Sequence, residues 1–360
     1  VSAAQPAAYL GSTRAVAAGT QFDEARLTRY LEGHVPGFRG PLVVEQFEGG
    51  QSNPTYLLVT SSQRYVLRRK PAGVLLKSAH AVDREYRVTR ALFEAGLPAP
   101  EPLVLCEDES VIGSMFYVMR HVPGRVFWDP RMPDLDCDDR AAIYDSANAT
   151  LAQLHRVDYV ALGLEDFGRR GNYFARQISR WSRQYEASRT IDLPQMDRLI
   201  EWLPGAIPDD GDRGTIIHGD YSFHNLIVHP TEPRVVAVLD WELSTIGNPV
   251  GDLTYHMMEW FRPPGVDLRG TLAGADLSAL GIPSAEDYAA RYRDRTGFDV
   301  DPTHPFYRAF NLFRVAAILQ GIAGRARDGV QTDAKAAEII TRIKPLVAAA
   351  WREAQAAGAS

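Results

Sequence analysis

Apolar positions in the first third of the chain change period twice. From about Phe22 to His34 they recur at helical spacing, which predicts an amphipathic helix with Thr20 as its candidate cap. Alternation then takes over in Leu42–Phe47, Thr55–Thr60 and Tyr65–Arg69. Gly49-Gly50 separates the first pair and Ser61-Ser62-Gln63 the second, so these runs predict a three-stranded antiparallel meander. Helical spacing returns from about His80 to Ala95 and is closed by Gly96 and Pro98. Two further strands are predicted at Leu103–Cys106 and Met115–Arg120.

Pro123-Gly124 breaks this strand-rich stretch. Beyond it helical spacing dominates, in Asp138–Val157, Tyr173–Ser188, Pro283–Arg295, Pro305–Ala326 and Thr332–Ala356. One β-hairpin interrupts, Leu226–Val228 with Val235–Leu239 across a Pro-containing turn. The pattern predicts an α+β architecture in two lobes with a ligand cleft between them. It divides the chain into a lead-in with a helix over 1–38, a strand-rich N-lobe over 39–122 and a mainly helical C-lobe over 123–360. No repeat of solenoid period is present.

Composition narrows the function classes. A net charge of −6 supplies no basic field for nucleic acid or anionic lipid, so neither partner is expected. No apolar run is long enough to span a bilayer, and the first residues read as a loosely ordered lead-in rather than a signal peptide. The two cysteines, Cys106 and Cys137, lack metal-ligand spacing and fit a reducing cytoplasm.

The candidate chemistry centres on His218-Gly219-Asp220-Tyr221-Ser222-Phe223-His224-Asn225, followed fifteen residues later by Asp240. Asn225 enters the hairpin and Asp240 leaves it, so antiparallel pairing brings the two ends together, roughly 5 Å apart if directly opposite. A carboxylate and an amide oxygen so placed suit magnesium, which takes hard oxygen ligands. Asp220, in the loop before the hairpin, is placed to accept a hydroxyl proton. A tight turn capped by Asp and Asn is the plainer reading. A metallohydrolase built on His218, Asp220 and His224 is a rival, though His224 and His229 are not at helical spacing. A non-catalytic nucleotide-binding pseudokinase is another.

The first third adds supporting groups. Gly49–Asn53, including Gly50, Ser52 and Asn53, joins the first two strands as either a phosphate-covering loop or a simple hairpin turn. Alternation puts Val66, Arg68 and Lys70 on one face of the third strand and Tyr65, Leu67 and Arg69 on the other. On the following helix Val82, Glu85, Thr89 and Leu92 share a face, and an acid on an inward stripe wants a cationic partner, in Arg68 or among the nearby surface arginines. Asn248 reads as a helix cap, Pro249 as the first helical residue and Asp252 as a first-turn acid. Five acids in Asp129–Asp139 read as a solvated face or helix start.

Taken together, Gly49–Tyr56, Tyr65–Pro71, Ala81–Val88, His218–Asn225 and Leu239-Asp240-Trp241-Glu242 resemble the aminoglycoside phosphotransferase-like kinases, a branch of the protein-kinase-like superfamily. The resemblance covers about residues 40 to 330 and is nearest to the branch found fused to acyl-CoA dehydrogenases. It implies a bilobal protein-kinase-like fold, ATP (or GTP) and Mg2+ as cofactors, and a small-molecule hydroxyl as acceptor. That acceptor would be a hydroxy acid, a hydroxyacyl-CoA or an aminoglycoside-type antibiotic. It further implies Asp220 as catalytic base, His218 as a structural residue of its loop, and Asn225 and Asp240 as magnesium ligands. Arg68, paired with Glu85, would hold phosphates where protein kinases carry Lys, with Lys70 as a possible substitute. Val66 and the stretch from Met119 to Val122 would meet the nucleotide base.

Overall fold

The computed structural model describes residues 13–17, 19–47, 53–71, 81–209, 213–267, 269–299, 301–327 and 333–360, without the side chains of 325–338. These residues fall into two compact units. The first draws on Val1–Phe127, Asp158–Phe167 and Phe223–Ser244, and the second on Trp128–Val157, Gly168–Ser222 and Thr245–Ser360. The hairpin, which the sequence reading groups with the C-terminal part, is thus counted with the first unit. The lead-in over residues 1–12 lies outside the described residues.

The first unit opens with β1 (Thr13–Arg14) and α1 (Glu24–His34). Asp23, not Thr20, caps α1, accepting from the Arg26 N–H at 2.8 Å. A cap must sit directly before the first helical residue to reach its free N–H groups. Thr20 lies too far upstream, and its hydroxyl instead donates to Ala17 O and Gln46 Oε1. There follow β2 (Val43–Phe47), β3 (Thr55–Val59), β4 (Arg64–Arg69), α2 (Val82–Glu94), β5 (Pro102–Cys106) and β6 (Phe116–Arg120). The strands form one antiparallel sheet in the order β1-β2-β3-β4-β6-β5.

Alternation along β4 holds. Tyr65 and Leu67 join a core with Leu27, Leu31 and Phe38, while Val66 joins Val82, Tyr117 and Met119 on the other face. Each large apolar side chain buried here contributes about 1.5–3 kcal/mol. α2 ends where Gly96 takes φ 79° and Leu97 N–H returns to Leu92 O, a closure that glycine permits without Cβ strain. The hairpin, β8 (Leu226–Val228) and β9 (Val235–Val238), pairs Leu226 with Val238.

The second unit is mainly helical. Its elements are α3 (Cys137–His155), α4 (Tyr173–Ala187), α5 (Pro194–Trp202), β7 (Thr215–Ile217) and β10 (Thr245–Gly247). They continue with α6 (Pro249–His256), α7 (Met258–Phe261), α8 (Leu277–Leu280), α9 (Ala285–Thr296), α10 (Pro305–Arg327) and α11 (Asp333–Ala356). The acidic run is a helix start: Asp136 caps α3 through Asp139 N–H, and Asp129 pairs with Arg131. β7 pairs antiparallel with β10, a short ribbon that launches the His218 loop at one end and α6 at the other. Among the described residues no helix is long and apolar enough to cross a membrane.

Candidate active site

In the first unit, three elements converge on one guanidinium. Arg68 leaves β4 and lies between Glu85 of α2 and Asp240, which follows β9. Its Nε is 3.0 Å from Glu85 Oε2 and its Nη2 is 2.9 Å from Asp240 Oδ1. Glu85 is 1 % exposed and is further held by Asn53 Nδ2 at 2.8 Å and the Tyr117 hydroxyl at 3.1 Å. A buried carboxylate with its oxygens filled by donors is tolerated where an unpaired one is not. Burial pushes the Glu85 carboxyl above its usual range, against the opposing pull of Arg68, and the Asp240 charge adds to the rise. Burial works against the charge on Arg68, but Glu85, Tyr117 and Asp240 together raise its pKa, so it stays a cation. The expected Arg68–Glu85 pair is therefore present, and Asp240 is an added partner.

The hairpin delivers Asp240. Leu239 N–H donates to Asn225 O at 2.8 Å, so Leu239 stands across from Asn225 and Asp240 is one residue further. Asp240 takes the left-handed conformation, φ 65° and ψ 63°, and Trp241 Nε1 ties the following turn to Val238 O at 3.0 Å. Non-glycine residues rarely adopt that conformation, and such strain collects where a side chain must be aimed. Asn225 ends a short 3-10 turn, Phe223–Asn225, and is buried. Among the described residues, Glu85, Asp240 and Glu242 each bring a carboxylate oxygen within 4.8 Å of the others. These are hard oxygens of the kind magnesium takes, with Glu85 already engaged by Arg68, Asn53 and Tyr117.

Val66 and Met119 face each other across β4 and β6 and are buried, and Val122 packs against the cluster of Val126, Ile227 and Ala237. Gly50 and Ser52 lie outside the described residues. Asn53 lies within them and is 1 % exposed. Its side chain is spent on Glu85, a bond the sequence reading missed.

In the second unit, His218-Gly219-Asp220 follows β7. Asp252, 0 % exposed in the first turn of α6, accepts the N–H groups of His218 and Gly219, the latter at 2.7 Å. His155 Nε2 lies 3.3 Å from the same carboxylate, and His155 Nδ1 is 2.6 Å from the Tyr292 hydroxyl. Burial alone would raise the pKa of Asp252, yet His155, His218 and the Gly219 N–H hold it below the usual carboxylate range. The reading of Asp252 as an acid serving its own helix start is corrected: it anchors a loop 33 to 34 residues earlier in sequence. The one sequence signal was an acid between apolar Val250 and Leu253 in a helix otherwise buried. Asn248 caps α6 as expected, accepting from Val250 N–H at 3.0 Å. His218 is fully buried and its Nδ1 accepts the Asp220 N–H at 3.1 Å. Asp220 itself is half-buried.

Comparison with known proteins gives the family of the chain. The pattern of the family described as "Phosphotransferase enzyme family" matches residues 43–292. Acyl-CoA dehydrogenase family member 11 of Gallus gallus is 45 % identical over 334 residues, covering 91 % of this chain and 43 % of that protein. Acyl-CoA dehydrogenase family member 10 of Mus musculus is 41 % identical over 341 residues, covering 94 % and 32 %. The chain thus spans less than half the length of these two relatives. A Ralstonia eutropha crystal structure, provisionally named an aminoglycoside phosphotransferase, is 49 % identical with a TM-score of 0.84, covering 93 % of this chain and 99 % of that one. The aminoglycoside phosphotransferase APH(4)-Ia, solved with ADP and hygromycin B, is 17 % identical with a TM-score of 0.56, covering 91 % and 98 %, and shares the fold. By the matched pattern and these identities, the chain is a member of the phosphotransferase enzyme family, with the aminoglycoside phosphotransferase fold and relatives in the branch fused to acyl-CoA dehydrogenases.

Proposed function

We propose that the protein is a kinase of small molecules, moving the γ-phosphoryl of ATP to a hydroxyl group. The observation that carries the reading is the half-buried Arg68, held by Glu85 and by Asp240 at once. Such a preorganised cation serves phosphate oxygens, and its ion pair to an acid on the neighbouring helix is the arrangement phosphoryl-transfer enzymes of this fold use. A neighbour's complex with ADP supports a nucleotide as donor.

Asp240 and Asn225 would hold magnesium, with Glu242 beside them, and the bound ion would neutralise charge on the phosphate oxygens. Arg68 binds and orients the phosphates. Asp220 orients the acceptor hydroxyl and takes its proton as the new P–O bond forms. Asp252 and His218 keep the Asp220 backbone in place. Positioning and charge neutralisation supply most of the rate, because phosphoryl transfer asks little covalent chemistry of the protein. The relatives' names support a hydroxylated acid or its acyl thioester as acceptor. The neighbours' names support an aminoglycoside as the alternative.

A mass-resolved screen for γ-phosphate transfer against pooled hydroxy acids, their CoA thioesters and aminoglycosides tests this. Asp220→Ala should cut turnover by about 10²–10⁴ while leaving nucleotide binding nearly intact. Full activity in that variant would remove Asp220 from its role.

A further inference from the structure

Asp252 fixes the amide side of the Asp220 loop, but it leaves the Gly219 carbonyl and the Asp220 carboxylate to other groups. The carbonyl is taken by Arg314 of α10, whose Nη2 donates to Gly219 O. Arg314 is 4 % exposed, and among the described residues no carboxylate forms a salt bridge with it. A guanidinium so buried is costly unless dipoles or π-faces replace water. Its neighbours do this: the Tyr255 ring centroid is 4.7 Å from the Arg314 guanidinium carbon and the Trp181 ring centroid 5.7 Å. The Asp220 carboxylate lies close enough to the hydroxyl of the same Tyr255 to raise its pKa further, after burial. One arginine therefore holds the main chain just before Asp220 and also packs on the ring of Tyr255, whose hydroxyl lies near the Asp220 side chain.

We propose that Arg314 and Tyr255 act as a coupled pair of positioning residues for Asp220, Arg314 fixing its backbone through Gly219 and Tyr255 fixing the rotamer of its carboxylate. This rests on the reading of Asp220 as the catalytic base. The sequence hides the pair, because the three residues come from the loop after β7, from α6 and from α10. A carboxylate that accepts a hydroxyl proton must be aimed to within a fraction of an ångström, and small misplacements are expensive in rate. Trp181, on α4, closes the other side of the guanidinium, so the charge stays tied to the loop.

The test uses Tyr255→Phe, which keeps the ring under Arg314 and removes only the hydroxyl, and Arg314→Lys, together with the double variant and Asp220→Asn. Transfer is read as phosphate release from Mg·ATP with water as acceptor, and nucleotide binding as Kd for Mg·AMP-PNP. Each single variant should lose about 10-fold or more in turnover with Kd changed by less than about 2-fold. The double variant should be little slower than the slower single, since residues acting as one unit are not additive. If Arg314→Lys does not fold, Tyr255→Phe carries the test alone. Asp220→Asn as fast as the unsubstituted chain removes the base reading and this inference with it. Asp220→Asn slow, with Tyr255→Phe at full rate, overturns this inference alone, as do single losses that multiply in the double variant.

Discussion

Arg68 donates through Nη2 to Asp240 at 2.9 Å and to Glu85 Oε1 at 3.4 Å, while its Nε lies 3.0 Å from Glu85 Oε2, a planar spread of contacts that a single ammonium group does not reproduce. The guanidinium ties the helix α2 to the turn after β9, and Asp240 is aimed before any ligand arrives. Arg68→Ala leaves Glu85 buried with only Asn53 and Tyr117 as partners, and should cost about 3–5 kcal/mol, the penalty of an unpaired buried charge. Arg68→Lys keeps the charge but loses one of the two contacts, and should cost about 1–2 kcal/mol. Urea midpoints of the two variants check the order. Equal midpoints would mean that charge alone, without the fork geometry, holds the cluster.

The elements carrying a clear period were legible from sequence: the β2–β3–β4 meander, α2, and the β8–β9 hairpin each lie within two residues of their predicted bounds. β7, β10, α7 and α8 are three or four residues long, too short to show any period, and β1 exists only by pairing with β2. The same division runs through the site. Asn225 and Asp240 could be linked because a local hairpin joins them. Asn53 and Tyr117 meet Glu85 across 32 positions each, and only the folded chain brings such pairs together. Gly124 was read as a break, and it is also a point of contact: a Cβ there would lie 2.2 Å from Ile227 Cγ2 and 2.4 Å from Val228 O. The next residue, Arg125, exchanges both backbone hydrogen bonds with Val228. Gly124→Ala must therefore push the hairpin away, since a backbone carbonyl cannot step aside as a flexible side chain can. A loss of about 3 kcal/mol in denaturation and weaker Mg·ADP binding in calorimetry are expected. A variant that melts like the unsubstituted chain would show that the hairpin adjusts freely.

Across the whole molecule the response to acid is set by groups that burial holds out of their usual range, more than by a net charge of −6. His256 is fully buried among the Tyr221, Trp260 and Tyr288 rings, and burial pushes its imidazole down to about 4. In the unfolded chain it titrates near its ordinary value of about 6.5. Above that value neither state binds the proton and the native packing is undisturbed. As pH falls from about 6.5 to about 4 the unfolded chain takes up a proton that the folded one refuses, so stability drops. A shift of this size corresponds to about 3 kcal/mol, lost by the lower end of that window. Asp252 continues the loss below the ordinary carboxylate range, because its folded pKa is depressed and protonation there breaks the anchor of the His218 loop. Guanidinium unfolding at pH 7.5, 6, 5 and 4 should therefore show a midpoint that falls throughout. His256→Gln should lower stability at pH 7.5 through lost packing and flatten the slope between pH 6.5 and 4. An unchanged slope in that variant would assign the acid sensitivity to other groups.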